Sequence, residues 1–302
     1  MKLSVPRPKL PFPYSAPTVP HGVEVPPAPG TTGADYDTDW ARRFPARFAR
    51  LVLLEGVIRP VAAVLGAPER AGVDRLHGLG DRPVIFAANH HSHLDTPMLL
   101  SSIPEPWRHR MFVGAAADYF FRNRVTGAVS ALAIGAIPIE RSKVTRRSAD
   151  QAAELIGAGW SMLIFPEGGR SPDGWGQPFR GGAAYLSSRT GVPIVPVHIE
   201  GTNRILRKGA KRPTPANVRV TYGQPLHPME SESAARYAER IERAVAVLAD
   251  EATTDWWQAT QRAAAGTTPA LTGPSAPSWR RAWALGDRSR KRQRQTRTWP
   301  RL

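Results

Sequence analysis

Apolar positions between residue 83 and about residue 226 alternate between short β-rich runs and longer segments with helical spacing. This alternation is typical of an α/β domain, in which strands and helices follow one another along the chain. The short runs predict strands at residues 84–88, 111–114, 133–139, 161–165, 194–199 and 218–222. Helices are predicted at residues 95–102, 145–158, 182–189 and 230–252.

A further helix ahead of this region is predicted from five apolar residues that recur at helical spacing after an N-cap at Thr38 or Asp39. The apolar residues are Trp40, Phe44, Phe48, Leu51 and Leu54, and Arg42, Arg43, Arg47 and Arg50 fall on or beside the other face. Such a helix either packs on the core as an ordinary surface helix or lies on a membrane surface. The two interpretations are compatible, and both stay open.

Both ends of the chain differ in composition from its middle. Residues 1–30 contain nine of the chain's thirty prolines, and the chain beyond residue 263 is rich in Thr, Pro, Ala and Ser. Residues 279–302 contain nine Arg or Lys and one Asp, a net charge of +8. We therefore expect a Pro-rich disordered leader over residues 1–36, one domain over 37–262 and a disordered basic tail over 263–302.

No targeting or membrane-spanning segment is predicted. The leader lacks the continuous apolar stretch of a secretory signal peptide. The longest apolar stretch, residues 51–66, is interrupted by Glu55, Arg59 and Pro60, and it falls short of the roughly 20 apolar residues that span a bilayer. We therefore expect a cytoplasmic protein that reaches a membrane only at its surface.

Charge and cysteine content limit the possible functions. The formal net charge of +16 and the sequence pI near 11.1 imply attraction to nucleic acid, an anionic membrane surface or a phosphorylated substrate, without choosing among them. The chain has no cysteine, which excludes disulfides, thiolate metal sites and a cysteine nucleophile. Its 302 residues are 41% hydrophobic, enough for the core of a globular enzyme.

The run Asn89-His90-His91-Ser92-His93-Leu94-Asp95 lies where a predicted strand ends and a predicted helix begins. With four residues between them in a turn, His90 and Asp95 can form a hydrogen bond. A carboxylate on one ring nitrogen fixes the histidine tautomer and stabilises the imidazolium that forms when the other nitrogen takes a proton. The pair therefore resembles part of a catalytic triad, with a substrate hydroxyl in the place of the serine.

Two other interpretations of this run remain. Asp95 can cap its helix while the histidines fill a turn, although three histidines in four residues disfavour this. The spacing of His91, His93 and Asp95 also matches a zinc-binding pattern of metallo-hydrolases. Thr96 stands where that pattern normally continues with His, and the later histidines have no convincing ligand context, so no metal is expected.

Three later patterns are suited to anions or to the core. Arg141 follows the predicted strand at residues 133–139 and can offer a planar fork to a phosphate, although an isolated arginine at a strand end is more often an ordinary surface residue. The run Phe165-Pro166-Glu167-Gly168-Gly169-Arg170-Ser171 combines a glycine turn, with exposed N–H groups, and a cationic side chain, and Arg180 precedes another helix start. The apolar run 192–197 contains two prolines and predicts a buried or edge strand.

Taken in this order, the four patterns resemble the four motifs of the glycerolipid acyltransferase family, in particular its 1-acyl-sn-glycerol-3-phosphate acyltransferase branch. The resemblance covers residues 83–201, which we take as the motif core of the domain. It implies a single mixed-sheet α/β domain flanked by helices, of the glycerol-3-phosphate acyltransferase type, with an N-terminal helical segment.

The resemblance also assigns roles to individual residues. His90 falls on the general base of the family's His-x4-Asp motif and Asp95 on its orienting carboxylate. Residues that fall on acceptor-binding positions are Arg141, Glu167, Gly168, Arg170 and Arg180, and those associated with the acyl donor or the shape of the pocket are Pro193, Val195 and Pro196. Gly169 stands where Thr is common and Arg180 where Lys is common, which leaves the identity of the acceptor less certain.

The implied reaction is direct acyl transfer to the free hydroxyl of 1-acyl-sn-glycerol 3-phosphate, which yields phosphatidic acid in phospholipid biosynthesis. The expected partners are a lysophospholipid acceptor, acyl-CoA or acyl carrier protein as co-substrate, and an anionic membrane surface; no cofactor is expected. Another lysolipid or glycerol 3-phosphate is an alternative acceptor, and a zinc hydrolase or a nucleic-acid-binding protein is a more distant alternative. The basic tail is expected to bind polyanions without specificity.

Overall fold

The computed structural model describes residues 33–140, 146–170, 175–206 and 212–273 of the chain. Its strands are β1 (Glu69–Ala71), β2 (Ile85–Ala88), β3 (Met111–Ala116), β4 (Ala136–Ile139), β5 (Ser161–Ile164), β6 (Ile194–Glu200) and β7 (Arg219–Tyr222). They form one sheet in the order β1-β7-β6-β2-β5-β3-β4. Neighbouring strands are parallel except β6 and β7, which are antiparallel, so the sheet is mixed as predicted.

Helices cover both faces of the sheet. They are α1 (Ala46–Leu53), α2 (Arg59–Gly66), α3 (Asp95–Ser102), α4 (Ala117–Phe120), α5 (Arg124–Ile134), α6 (Arg146–Gly157), α7 (Gly182–Thr190), α8 (Thr202–Ile205), α9 (Ala234–Thr253) and α10 (Trp256–Ala264). Helices α2 and α3 share a core with Phe86 and Ala88 of β2, whereas α6, α7 and α9 share the other core with Ile85 and Ala87. All four residues of β2 are fully buried because both faces are covered, which explains its continuous apolar sequence.

Most predicted elements are found within a few residues of their expected positions. The predicted α/β class with a single mixed sheet is confirmed, and the predicted helix at residues 95–102 coincides with α3. The helix predicted at residues 230–252 begins later, at Ala234, because the Ser233 side chain accepts a hydrogen bond from the Arg236 amide and caps the helix there.

The predicted strand at residues 133–139 is wrong in its first half. Residues 133 and 134 are the end of α5, and Gly135 then turns the chain into β4 with a φ of +64°. Most residues of α5 itself are small or apolar, on every side of the helix. Its sequence therefore lacks a polar face, and the apolar pattern does not distinguish a helix from a strand. The short edge strand β1 and the helices α2, α4, α5, α8 and α10 were not predicted.

The predicted N-terminal helix begins later than expected, and most of its apolar side is exposed to solvent while Arg50 of its basic side is buried. Residues 39–42 form a 3-10 turn, and α1 starts at Ala46, directly after Pro45. A π turn (Leu54–Ile58) then continues α1 into α2. Of the two sides of α1, Arg50 is buried at 5% exposure, whereas Phe48 is 59% exposed. Packing of the apolar stripe on the core therefore holds for Leu54 but not for its more N-terminal members.

The described residues reach into both predicted terminal segments. Helix α10 ends at Ala264, just past the predicted domain boundary, and the Gly176 amide donates to the Leu271 carbonyl, so the chain there still contacts the domain. The remainder of the predicted leader and of the predicted basic tail lies outside the described residues. In the described part of the chain, no helix is long and apolar enough to cross a membrane.

Candidate active site

The candidate site lies at the edge of the sheet where β2, β3, β4 and β5 end. These four strands run in the same direction, so the loops that follow them meet at one edge. The loop after β2 carries His90, and the loop after the adjacent β5 carries the glycine turn and Arg170. The two patterns are far apart in sequence and adjacent in the fold because β2 and β5 pair directly.

His90 and Asp95 form the predicted pair. His90 Nδ1 lies 2.9 Å from Asp95 Oδ2, and the Asp95 side chain is fully buried whereas that of His90 is 17% exposed. The His90 ring stacks on Phe165, with 4.1 Å between ring centroids. Because Nδ1 is held by the carboxylate, Nε2 is the nitrogen left for a substrate in the adjoining cavity.

Asp95 does not cap its helix. Its Oδ2 accepts hydrogen bonds from the His91 and Ser92 amides at 2.7 and 2.8 Å, so the carboxylate points back into the loop that carries His90. Its Oδ1 accepts the hydroxyl of Thr202 at 2.5 Å. Four donors thus fix one buried carboxylate, and its orientation toward His90 is set by the surrounding structure.

A second anchor holds the His90 loop to β6. The Asn89 side chain, 1% exposed, accepts from the Ile199 amide and donates to the Ile199 carbonyl, both at 2.8 Å. This pair of bonds continues the pairing of β2 with β6 by one residue, through a side chain instead of the main chain. His90 therefore follows a fixed point of the backbone.

Glu167 has a different position from the one predicted. It is 3% exposed, and its two oxygens accept the backbone amides of His90 and Gln177 at 2.8 and 2.9 Å. Burial raises the pKa of Glu167 to about 7, against the opposing effect of these two hydrogen bonds. It does not line the cavity, so the structure makes it a positioning residue that ties the His90 loop to the loop after β5.

A cavity of about 400 Å³ opens beside His90. One part of its wall is apolar and includes Val113, Gly114 and Ile139 from β3 and β4, together with Ile164 and Phe165. The other part is polar and includes His93, Arg170 and Arg180, with Glu140 as its one carboxylate among the described residues. Its volume falls in the usual range of about 300–1,000 Å³ for small-molecule sites, and its two-sided wall suits a ligand with an apolar and an anionic end.

The glycine turn forms the polar part of the wall. Gly168 has a φ of +71°, and a Cβ there would lie 2.9 Å from Arg180 Nε, so glycine allows both the turn and the close approach of Arg180. The predicted acceptor residues Gly168, Arg170 and Arg180 thus come together at the cavity. Arg141, predicted to join them, lies outside the described residues, as does Ser171.

The three predicted pocket residues of β6 and its start lie in the core. Pro193, Val195 and Pro196 are buried, and none of them lines the cavity. Val195 pairs with Phe86 of β2 in the sheet. Any influence of these residues on the pocket therefore passes through the position of β2 and its loop.

The geometry disfavours the zinc interpretation of His91, His93 and Asp95. His91 Nδ1 lies 3.5 Å from the Asn89 side chain, on the β6 side of the loop, whereas the His93 ring stacks on Tyr119 at 5.6 Å between centroids. Within the described ranges, no three His, Asp or Glu side chains converge as a metal site. Burial lowers the pKa of both histidines, which favours their neutral form, so it is the divergence of their rings and not their charge that disfavours zinc.

Thr202, Asn89 and Gln177 were not singled out from the sequence. Thr202 lies more than one hundred residues from Asp95 and begins α8 after Gly201, whose φ of +91° only glycine adopts readily. Gly201 is a signal that the sequence does contain, since glycine followed by threonine after a strand is typical of a turn into a helix. The sequence gives no indication that Thr202 bonds to Asp95.

The comparisons with known proteins agree with the resemblance to acyltransferases. Residues 69–200 match the model of a family described as Acyltransferase, which confirms the resemblance for this part of the chain. The chain is 32% identical over 151 residues to the chloroplastic 1-acyl-sn-glycerol-3-phosphate acyltransferase BAT2 of Brassica napus, covering 49% of this chain and 42% of that protein. It is 28% identical over 184 residues to the 1-acyl-sn-glycerol-3-phosphate acyltransferase of Pseudomonas aeruginosa, covering 60% of this chain and 68% of that protein.

The crystal structure of the 1-acyl-sn-glycerophosphate acyltransferase PlsC from Thermotoga maritima is similar in fold. The TM-score is 0.54 at 24% sequence identity, and the match covers 71% of this chain and 85% of that chain. At this identity the likeness establishes the fold. The chain covers only about two fifths of two chloroplastic relatives: 42% of the Brassica napus protein and 40% of the 1-acyl-sn-glycerol-3-phosphate acyltransferase LPAT1 of Arabidopsis thaliana.

Proposed function

We propose that this chain, whose residues 69–200 match the acyltransferase family, transfers an acyl group from a thioester to the free hydroxyl of 1-acyl-sn-glycerol 3-phosphate, giving phosphatidic acid. The observation that carries the proposal is the His90–Asp95 pair, which faces a cavity with one apolar and one cationic part. The relatives named as 1-acyl-sn-glycerol-3-phosphate acyltransferases support this choice of acceptor.

In the proposed reaction His90 Nε2 accepts the proton of the acceptor hydroxyl as its oxygen attacks the thioester carbonyl. The buried Asp95 carboxylate stabilises the imidazolium through Nδ1, and Thr202 holds that carboxylate from its other oxygen. Collapse of the tetrahedral intermediate breaks the carbon–sulfur bond, and His90 returns the proton to the departing thiolate. The products are the new ester and the free thiol, with acyl-CoA or acyl carrier protein as the donor.

The acceptor's phosphate is assigned to the cationic part of the cavity. Arg170 is exposed at its rim, and Arg180 lies against the glycine turn, so the cavity presents two guanidinium groups to phosphate oxygens. The apolar part, whose wall includes residues of β3 and β4, suits an acyl chain. A phosphorylated lysolipid fits both parts, whereas glycerol 3-phosphate leaves the apolar part without a ligand from the acceptor.

A purified-protein assay tests the proposal. With radiolabelled acyl-CoA and 1-acyl-sn-glycerol 3-phosphate, His90→Ala and Asp95→Ala should each lower the rate about 100-fold or more, because a positioned base contributes about 10²–10⁴. Circular dichroism and thermal melting show whether each variant folds. Near-normal turnover in both folded variants would refute the assignment.

The acceptor is tested in the same assay with glycerol 3-phosphate, other lysolipids and a monoacylglycerol that lacks phosphate. Arg170→Ala should raise KM for the phosphorylated acceptor and leave KM for the monoacylglycerol nearly unchanged. An equal loss for both acceptors would contradict the role of Arg170. If the enzyme prefers glycerol 3-phosphate, the proposed acyl transfer reaction stands and the proposed acceptor is wrong.

The proposal also places the chain at an anionic membrane surface, from the cytoplasmic side. Its support is the solvent-exposed apolar side of α1 and the preceding turn, where Phe44 is 85% and Val52 is 51% exposed. A lipid acceptor reaches the enzyme only at such a surface, and the chain's formal charge of +16 favours anionic lipids. Non-specific polyanion binding by the basic tail stays a prediction about residues outside the described ranges.

A further inference from the structure

A second, small cavity of about 40 Å³ lies between α1 and the 3-10 turn Arg108–Arg110. Four of the residues that line it carry basic side chains: Arg47, Arg50, Arg108 and His109. The turn leads into the amino end of β3, so the cavity lies at the edge of the sheet opposite to the catalytic edge. It is therefore a separate site.

Arg50 is the most constrained of these side chains. It is 5% exposed, its Nη2 donates to the Ile134 carbonyl at 3.3 Å, and its buried Nε has no hydrogen-bond partner among the described residues. Its guanidinium lies against Gly135, where a Cβ would be 2.6 Å from Nη1. The fold thus makes room for a buried cation and leaves one of its donors unsatisfied, an arrangement that is costly without a counter-ion.

The surrounding charges do not supply that counter-ion. Glu55 and Glu105 pair with Arg59, Arg108 and His109, so they neutralise the part of the lining that the 3-10 turn contributes, and neither of them pairs with Arg50. Arg50 has no ion pair with any described carboxylate, and burial, with Arg42 and Arg47 nearby, lowers its pKa to about 10. Arg47 lies over the Trp160 ring, 5.6 Å from its centroid. The α1 side of the cavity, with Arg50 and Arg47, is therefore positive and has no carboxylate partner among the described residues.

We propose that this cavity binds a phosphoryl group, with Arg50 as its central ligand and Arg47 beside it; Arg108 lines the cavity but is already paired with Glu55. Guanidinium groups bind phosphate oxygens through paired N–H donors, and a buried one does so most strongly. A cavity of about 40 Å³ holds roughly three water-sized groups, which matches the oxygens of a phosphoryl group whose remaining substituent points to solvent. Leu51 lines the same cavity and is 42% exposed, which suits the neighbouring apolar part of a lipid.

Inorganic phosphate alone is the first probe. Because Arg170 and Arg180 both belong to the proposed acceptor site, all proteins carry Arg170→Ala and Arg180→Ala to remove phosphate binding there. The Tm is measured in phosphate and in chloride of equal ionic strength. We expect a saturable rise of at least about 2 °C in phosphate, its loss in Arg50→Met, a weaker rise in Arg47→Gln, and an unchanged rise in Arg43→Gln, which removes equal charge from an exposed position outside the cavity.

Vesicles separate a lipid headgroup from free phosphate. The same proteins are sedimented with phosphatidylcholine vesicles that contain phosphatidic acid, or oleic acid at matched surface charge. If the ligand is a lipid phosphate, Arg50→Met should lose at least about tenfold in binding to the phosphatidic acid vesicles and much less to the oleic acid vesicles. If the ligand is free phosphate, Arg50→Met and Arg43→Gln should differ in the phosphate-dependent rise of the Tm and should bind both kinds of vesicle equally.

Two results overturn the proposal. One is a Tm rise and vesicle binding that are equal in Arg50→Met and Arg43→Gln; the other is no phosphate-dependent rise in any protein together with equal vesicle binding. If Arg50→Met does not fold, Arg47→Gln combined with His109→Gln decides between the same outcomes, since both side chains are more exposed. Acyl transfer is not measured in either arm, so failure here leaves the proposed reaction untouched.

Discussion

The carboxyl group of Glu167 gives the sharpest test of how the site is held. Its oxygens join the amides of His90 and Gln177 in the protein interior. The change Glu167→Gln keeps the shape, removes the titration and replaces one acceptor by an NH2 group. One of the two amides then faces a donor and stays buried without an acceptor, at a cost of about 1–3 kcal/mol that does not depend on pH.

The pH-dependent part of the effect follows from the raised pKa. Burial raises the pKa of Glu167 from 4.5 to about 7, so between these pH values the folded protein binds a proton that the unfolded chain releases. The stabilising contribution is therefore fully present below about pH 4.5 and is lost as the pH rises through 7. At about 1.4 kcal/mol for each pKa unit, the loss between pH 4.5 and 8 is about 3 kcal/mol.

Urea unfolding at a series of pH values, followed by tryptophan fluorescence, measures this difference. The variant should be less stable than the native protein near pH 5 and should approach or exceed its stability above pH 8, because only the native protein loses the contribution of Glu167. The other titrating groups are shared by both proteins and cancel in the difference. Glu239→Gln on α9 makes the same chemical change at an exposed position and should follow the native protein.

A difference in unfolding free energy that is constant within about 0.5 kcal/mol from pH 4.5 to 8 would refute the reasoning. It would mean that Glu167 is ionised at pH 5 in the folded protein, and that its two amide bonds outweigh burial. A difference that grows with pH would have the wrong sign and would exclude a buried neutral carboxyl at this position.

Two further predictions follow from the same structure. Thr202→Val removes the hydroxyl that donates to Asp95 and should lower kcat about tenfold with little change in KM, whereas Thr202→Ser should restore kcat; a changed KM with normal kcat would contradict a role through Asp95. Phe44→Ser with Phe48→Ser should lower binding to anionic vesicles at least about tenfold, and Tyr185→Ser, an exposed aromatic on α7, should not; equal binding by both would show that the apolar side of α1 does not meet the membrane.

The strands and helices that position His90 were predictable because each has a pattern that depends on its own residues. The apolar run of β2, the helix-forming sequence of α3 and the turn between them are local features. Helix α5 was missed because small and apolar residues occupy every side of the helix, so its sequence shows no helical alternation of apolar and polar positions. The exposed side of α1 was misjudged for a different reason: a helical stripe shows which residues share a face, and not what that face contacts.

The residues that anchor the site were harder to predict, because their partners are set by the order of the strands. The sequence places Glu167 in a charged turn beside Arg170, where an exposed role in acceptor binding is reasonable. In the fold β5 lies next to β2, so the same carboxyl reaches the amide of His90 and becomes buried. Thr202 likewise reaches Asp95 only because β6 pairs with the other side of β2.

This strand order also explains why one histidine of the three, His90, is the one placed at the cavity as the proposed base. Both neighbours of β2 fix the loop after it, since Asn89 is held by β6 and the His90 amide by Glu167 after β5. The backbone between these two anchors turns the His90 ring toward Phe165 and the cavity, whereas His91 lies toward β6. Loss of either anchor should therefore affect the rate through the position of His90, even though neither Asn89 nor Glu167 lines the cavity.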